Sequence, residues 1–182
     1  DGSMRQIQRL AFVDSITQLP NRERFLRILN RALRERADDS YAAVIVLNVN
    51  RFRWVNETLG PEKGDEALSL IGMRIRKALA TADKIVRSTE CGPSPSTLAR
   101  LGGDEFAVVV PTIDAKSDIT RFMQMVISSM RQPLEIGGQA LTLGLSGGVA
   151  LAPIHGMKGE ELLKNADLAL KEARRAGRGK AR

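Results

Sequence analysis

Residues 98–110 read LARLGGDEFAVVV: a short apolar stretch, two glycines followed by two acids, and a longer Val-rich run. Extended segments either side of a Gly-Gly-Asp tip read as a β-hairpin, with residues 98–101 and 106–110 paired across Gly102-Gly103-Asp104-Glu105. A second apolar run, YAAVIVLNV at 41–49, follows the breaker Asp38-Asp39-Ser40 and reads as a buried central strand. A further hairpin is expected around Gly137-Gly138, joining 133–136 to 139–151, and Ile85-Val86 suggests a short strand. Between them lie segments of helical periodicity: 4–12, 22–36 with Asn21 as its N-cap, 51–60, a helix near 65–80, 115–131 and 159–176. Inward positions Leu68, Ile71, Ile75 and Leu79 mark the helix near 65–80. Long helices with hairpin-joined strands give an α+β domain, a central, mostly antiparallel sheet covered by helices.

The chain has 182 residues, 43% hydrophobic and 27% charged, which suits one globular domain with a core of its own. The expected organisation is an expression scar and linker helix at 1–13, the domain at 14–179 and a basic tail at 180–182. No run approaches the roughly 18–20 apolar residues of a membrane span, and no secretory signal is visible, so a cytoplasmic setting is expected. One cysteine, Cys91, excludes an internal disulfide and any multi-cysteine zinc site, and one histidine, His155, excludes a His-rich metal centre. Any metal must be held by oxygens.

The net charge of +7 and pI of about 10.1 raise the question of nucleic acid, and the location of the charge answers it. Residues 1–36 carry 8 basic and 4 acidic side chains, and residues 171–182 carry 6 and 1; the 134 residues between hold 14 and 16. The excess sits in two terminal segments, and seven aromatic residues give no interleaved stacking surface. A site for small anions such as nucleotide phosphates fits a local cluster better.

The tip itself has chemistry in it. Glycines let a backbone approach a phosphate, and adjacent carboxylates offer hard oxygen ligands to Mg²⁺. As spelled at 102–106, it resembles the signature of the GGDEF domain family, the diguanylate cyclases of bacterial signalling. Other motifs agree in order and spacing. Asp14–Arg22 is similar to D-x-L-T-G-L-x-N-R, with Gln18 for the usual glycine. Asn48–Asn56 resembles D-x-D-x-F-K-x-x-N, Gly60–Asp65 resembles G-H-x-x-G-D, Ser146-Gly147-Gly148 resembles S-x-G, and Ala166–Arg178 resembles A-D-x-A-L-Y-x-A-K-x-x-G-R.

The resemblance implies a palm-type nucleotidyl-cyclase fold and the condensation of two GTP into cyclic di-GMP. Each GTP would be held by one domain of an antiparallel homodimer, with Mg²⁺ or Mn²⁺ as cofactor. It assigns Asp104 and Glu105 to catalysis and Asp104, Asn48 and the Val49 main chain to metal. It assigns Asn56 and Asp65 to guanine, and Phe52, Arg53, Arg174 and Arg178 to phosphates. Gly102 and Gly103 form the glycine turn. It also implies an upstream sensor or a downstream EAL phosphodiesterase domain in a longer protein; from charge placement and run length, no nucleic-acid partner and no membrane contact through these residues are expected.

The departures point to chemistry as well. Asn48 and Asn50 replace the two acids of D-x-D, removing negative charge where a metal would sit. Pro61 replaces a histidine and Lys171 a tyrosine. The product-inhibition motif R-x-x-D would fall at Pro93 and Ser96, which cannot supply it; Arg87–Glu90 has similar charge spacing but lies upstream. Two functions follow: an active or weakly active diguanylate cyclase, or a catalytically inactive GTP-binding domain that controls an attached EAL phosphodiesterase. Trp54 is expected to pack against a neighbouring helix, His155 to lie in a loop, and Cys91 to be an unpaired loop thiol.

Overall fold

A computed structural model of the protein describes residues 11–87 and 94–177. Its helices are α1 (Arg22–Glu35), α2 (Phe52–Leu59), α3 (Pro61–Ile85), α4 (Lys116–Ser128, continued by a 3₁₀ turn at Ser129–Arg131) and α5 (Gly159–Gly177). Its strands are β1 (Tyr41–Val49), β2 (Thr97–Gly102), β3 (Glu105–Ile113), β4 (Leu134–Ile136), β5 (Gln139–Leu141) and β6 (Leu145–Ala152). Four strands form one antiparallel sheet in the order β2-β3-β1-β6, and β4-β5 form a separate ribbon.

The unbroken apolar run of β1 has a direct cause: helices cover both faces of the sheet. Ala43, Ile45, Leu47 and Val49 point into a core shared with Ile71 and Ile75 of α3 and Phe122 of α4. Ala42, Val44 and Val46 point the other way, against Phe25 and Leu29 of α1 and Leu162 and Ala166 of α5. Each such Leu, Ile or Phe taken wholly out of water is worth about 1.5–3 kcal/mol, so β1 anchors both layers. Close approach matters on the second face. A Cβ on Gly148 would lie 2.3 Å from the Ala166 carbonyl oxygen and the Leu170 nitrogen, so α5 seats on β6 only because that residue is glycine.

Asn21 caps α1 as expected, its side chain accepting from the Arg24 N–H at 3.0 Å. Two expectations fail. Ile85-Val86 is not a strand: Val86 continues the inward series Leu79, Ala82 by one more turn, so α3 runs to Ile85 with Val86 as its C-cap. The expected strand 139–151 is two strands in different sheets. The chain breaks at 142–144, where the Gly144 carbonyl accepts the Asn50 N–H at 2.8 Å, and β6 then pairs with β1. Of the expected helix at 4–12, residues 4–10 lie outside the described residues, as does Cys91.

Candidate functional site

β2 and β3 end together at the Gly102–Glu105 tip. Gly102 (φ +142°) and Gly103 (φ +49°) occupy conformations that side chains resist, while a Cβ at either would meet nothing within 4 Å. Glycine is therefore required here for its backbone and not for space. Arg100 fixes the tip from inside: Nε and Nη2 donate to the Gly103 carbonyl at 3.1 and 2.9 Å, and Nη1 pairs with Asp14 Oδ1 at 2.7 Å. Asp14 also accepts from the Thr17 N–H (2.9 Å) and hydroxyl (2.8 Å). Burial works to raise the Asp14 carboxyl, but the Thr17 hydrogen bonds and the Arg100 charge outweigh it and hold its pKa below the ordinary value. The Asp104 carbonyl in turn accepts the Val49 N–H at 3.0 Å, tying the tip to the end of β1.

Register then decides which side chains meet. Asn48 lies opposite Glu105 of β3 and Ser146 of β6, on the face covered by α1 and α5. Asn48 is 6% exposed, and its buried Oδ1 accepts no hydrogen bond. Asn50 is occupied structurally, its Oδ1 accepting from the Ser146 hydroxyl at 2.8 Å. The Val49 side chain is in the opposite core, so any part it plays is through its main chain. Burial, then the like charge of Asp167, push the Glu105 carboxyl up, with Asp104 adding to the rise and Arg22 and Lys171 opposing it. Asp167 pairs with Lys171 at 3.1 Å, and Arg174 follows at i+7 on the same face of α5. Arg178 lies outside the described residues.

β1 leads at once into the second set. Phe52 is buried, so at this edge it offers the main chain of the first turn of α2, whose N–H groups have no partner within the helix. Arg53 is exposed and pairs with Glu57 at 3.0 Å. Asn56 and the start of α3 are brought together by a glycine. A Cβ on Gly64 would stand 1.8 Å from Asn56 Oδ1, so the amide rests where a side chain would be, one residue before Asp65. Sequence reasoning placed Gly64 in a motif but missed this role, because it began the helix near residue 65 and not at Pro61. Trp54, expected against a neighbouring helix, is 39% exposed, with the Arg51 guanidinium 5.5 Å from its ring centre. His155 is a loop residue as expected, its Nδ1 accepting the Leu151 N–H at 2.9 Å.

Asp104 and Glu105 offer carboxylate oxygens at the tip, and Asn48 offers a neutral amide oxygen. The unpartnered Asn48 Oδ1 suits a cation in position but brings no charge. Among the described residues no three Asp, Glu, His or Cys side chains converge on a metal position. This falls short of the anionic cage the resemblance implies for Mg²⁺ or Mn²⁺. Arg87, the arginine with similar charge spacing, is buried and turned inward. It donates to the Thr112 carbonyl at 2.9 Å and pairs with Asp83 at 3.1 Å, and Asp83 also accepts from Ser96.

A helix-covered antiparallel sheet with a Gly-Gly-Asp-Glu tip against its second interior strand defines an α+β domain of the GGDEF type. The model of the family described as "Diguanylate cyclase, GGDEF domain" matches residues 11–180, and the chain belongs to that family. Diguanylate cyclase TpbB of Pseudomonas aeruginosa is 37% identical over 171 residues, 93% of this chain and 36% of TpbB. Cyclic di-GMP phosphodiesterase NbdA of the same species is 33% identical over 183 aligned positions, all of this chain and 22% of NbdA. The chain thus spans about a third or less of these relatives. Among solved structures, the GGDEF domain of TpbB superposes with a TM-score of 0.76 at 35% identity, covering 88% of this chain and 92% of that one. A sensory box/GGDEF family protein from Caulobacter crescentus gives 0.78 at 32%, covering 91% and 99%.

Proposed function

We propose that this domain binds GTP at the edge where the end of β1, the Gly102–Glu105 tip and the first turns of α2 and α3 meet, and that it condenses GTP to cyclic di-GMP only slowly. Asn48 is the observation that carries the reading: a buried, unpartnered amide at the strand position opposite Glu105. In this reading the Asn56 amide donates and accepts at the polar edge of guanine, and the Asp65 carboxylate accepts from its N–H groups. The start of α2, Arg53, Arg174 and Arg178 take the phosphates. Asp104 and Glu105 stand at the reacting end. Condensation joins the 3′-oxygen of one GTP to the α-phosphorus of the other and breaks that phosphorus–oxygen bond to pyrophosphate. The hydroxyl proton must leave to a base such as Asp104. Two domains must face each other for this, so the active species would be a homodimer. A divalent ion would lower the charge on the phosphates, and Asn48 weakens the set that would hold it.

Titration calorimetry with GTP, beside chromatography of the products, tests the proposal. Saturable GTP binding with cyclic di-GMP formed at or below a few turnovers per hour supports it. Absence of GTP binding overturns it, as does turnover near the ~1–10³ s⁻¹ usual for enzymes. A second reading, nucleotide occupancy as a signal to an attached cyclic di-GMP phosphodiesterase, is favoured by the match of the whole chain to a fifth of NbdA. Such a protein would act where GTP is, in the cytoplasm, beneath an upstream sensor.

A further inference from the structure

The two edges of the central sheet are finished differently. At β2 the chain covers its own edge: the Arg100 N–H donates to the Pro20 carbonyl at 3.0 Å, in the turn that follows Asp14. At β6 the cover stops after one residue. Both main-chain groups of Leu151 are taken by His155, whose N–H donates to the Leu151 carbonyl at 2.7 Å and whose Nδ1 accepts the Leu151 N–H at 2.9 Å. Leu151 therefore points its main chain away from β1. The register of β6 on β1 runs unbroken from Leu145 to Ala152, so Gly147 and Val149, at a period of two, point the same way. Among the described residues no strand pairs with that side, and both residues are only half-buried. An open edge of this kind is a template for another extended chain.

The surface beside this edge selects the chain it would take. Val149 lines a groove of about 740 Å³ between β6, the loop that follows it and α5. Six large apolar side chains are exposed among the described residues, and three of them, Ile154, Met157 and Leu168, lie in this groove, so apolar area is gathered here and not scattered. The charged lining is acidic. Glu161 and Glu172 of α5 border the groove and no lysine or arginine does, although the chain carries a net charge of +7. Neither carboxylate has an ion-pair partner among the described residues. A second copy docked on the same edge about a two-fold axis would set this acidic lining against itself, so charge disfavours self-pairing. We infer that the β6 edge takes a short extended segment of another protein, with apolar side chains for the groove and Lys or Arg for Glu161 and Glu172. Main-chain hydrogen bonds to Gly147 and Val149 hold such a segment, and its alternate side chains give the selectivity. Nucleotide plays no part in this contact.

Fluorescence anisotropy with a labelled hexapeptide of alternating valine and arginine tests it, beside amide hydrogen exchange read by NMR. The peptide binds saturably, and its valine–glutamate counterpart binds about tenfold more weakly or less. At saturation, exchange slows at the Gly147 and Val149 amides, while the Leu151 amide, already bonded to His155, is unchanged. Methylating one alternate set of peptide amides abolishes binding and methylating the other set does not, because a strand pairs through one side only. Glu161→Gln with Glu172→Gln weakens binding about threefold or more, and Leu168→Asp about tenfold. These side chains are exposed, and melting curves check that each variant is folded. Absence of saturable binding overturns the inference. So does equal binding of the two peptides, indifference to both methylation patterns, or unchanged exchange at Gly147 and Val149. A dimer in sedimentation that protects the same two amides without peptide also overturns it, in favour of a second copy.

Discussion

Gly64 and Gln18 show how much a single backbone position can decide. Gly64 lies inside α3, where alanine would be favoured by about 1 kcal/mol of helix propensity. Its missing side chain is the space that Asn56 Oδ1 occupies, at 1.8 Å from where a Cβ would be. Gly64→Ala should therefore leave the fold intact in thermal melts while displacing the amide. GTP affinity should fall about tenfold or more, the effect of losing a paired polar contact to the base; unchanged affinity would mean Asn56 does not touch the nucleotide. Gln18 makes the opposite bargain. It holds φ +62° in the turn after Asp14, a conformation costing a non-glycine residue about 1–2 kcal/mol, and returns one exposed hydrogen bond from Nε2 to the Ser15 carbonyl. Its departure from the glycine of the motif was legible in the sequence, and the turn holds the left-handed backbone that a glycine would adopt more readily. The role of Gly64 was not legible, because a helical glycine says nothing of which neighbour fills its space.

Arg100 joins two elements that are 86 residues apart along the chain, the turn at Asp14 and the tip between β2 and β3. Its side chain is 10% exposed and that of Asp14 15%, so removing either partner strands a charge or a set of donors in a largely dry place. Arg100→Ala should cost about 3 kcal/mol in urea denaturation. A cycle with Asp14→Ala should show a coupling of about 1–3 kcal/mol, and additivity would show that the pair acts separately. The pH dependence has a definite sign. The Asp14 carboxyl titrates below its ordinary value in the folded state, so its contribution is complete above about pH 4 and is lost as pH falls through the lower folded value. The Arg100→Ala penalty should shrink across that acid window. Strands and helices were legible here in proportion to their regularity: the run at 41–49 became β1 to the residue, and Asn21 became the cap of α1. The end of α3 was misjudged because Ile85-Val86 has β-type residues that tertiary packing drew into a helix, and the 139–151 strand was misjudged because its break is made by a hydrogen bond from Asn50.

Across the molecule, the charge that first suggested nucleic acid resolves into surfaces with separate uses. The middle of the sequence is close to neutral, and the basic excess of residues 171–182 begins on the α5 face that carries Lys171 and Arg174. Which acids those cations would face could not be seen in the sequence, since Glu105 and Asp167 are brought together by the packing of α5 on the sheet and by the β1–β3 register. A ligand held by both the α2–α3 edge and α5 would bridge elements on opposite faces of the sheet and stabilise the whole fold. At GTP one hundred times its dissociation constant, the gain should be about 2.7 kcal/mol, provided that the unfolded chain does not bind. For a domain of this size that is a rise in Tm of about 5–10 °C by calorimetric scan. ATP should give a much smaller shift under the proposed assignment of Asn56 and Asp65 to guanine. Added salt should reduce the GTP shift, because exposed side-chain cations on phosphate are screened over about 8 Å at physiological ionic strength. Equal shifts with ATP and GTP would leave the phosphate cations in place and remove the guanine assignment.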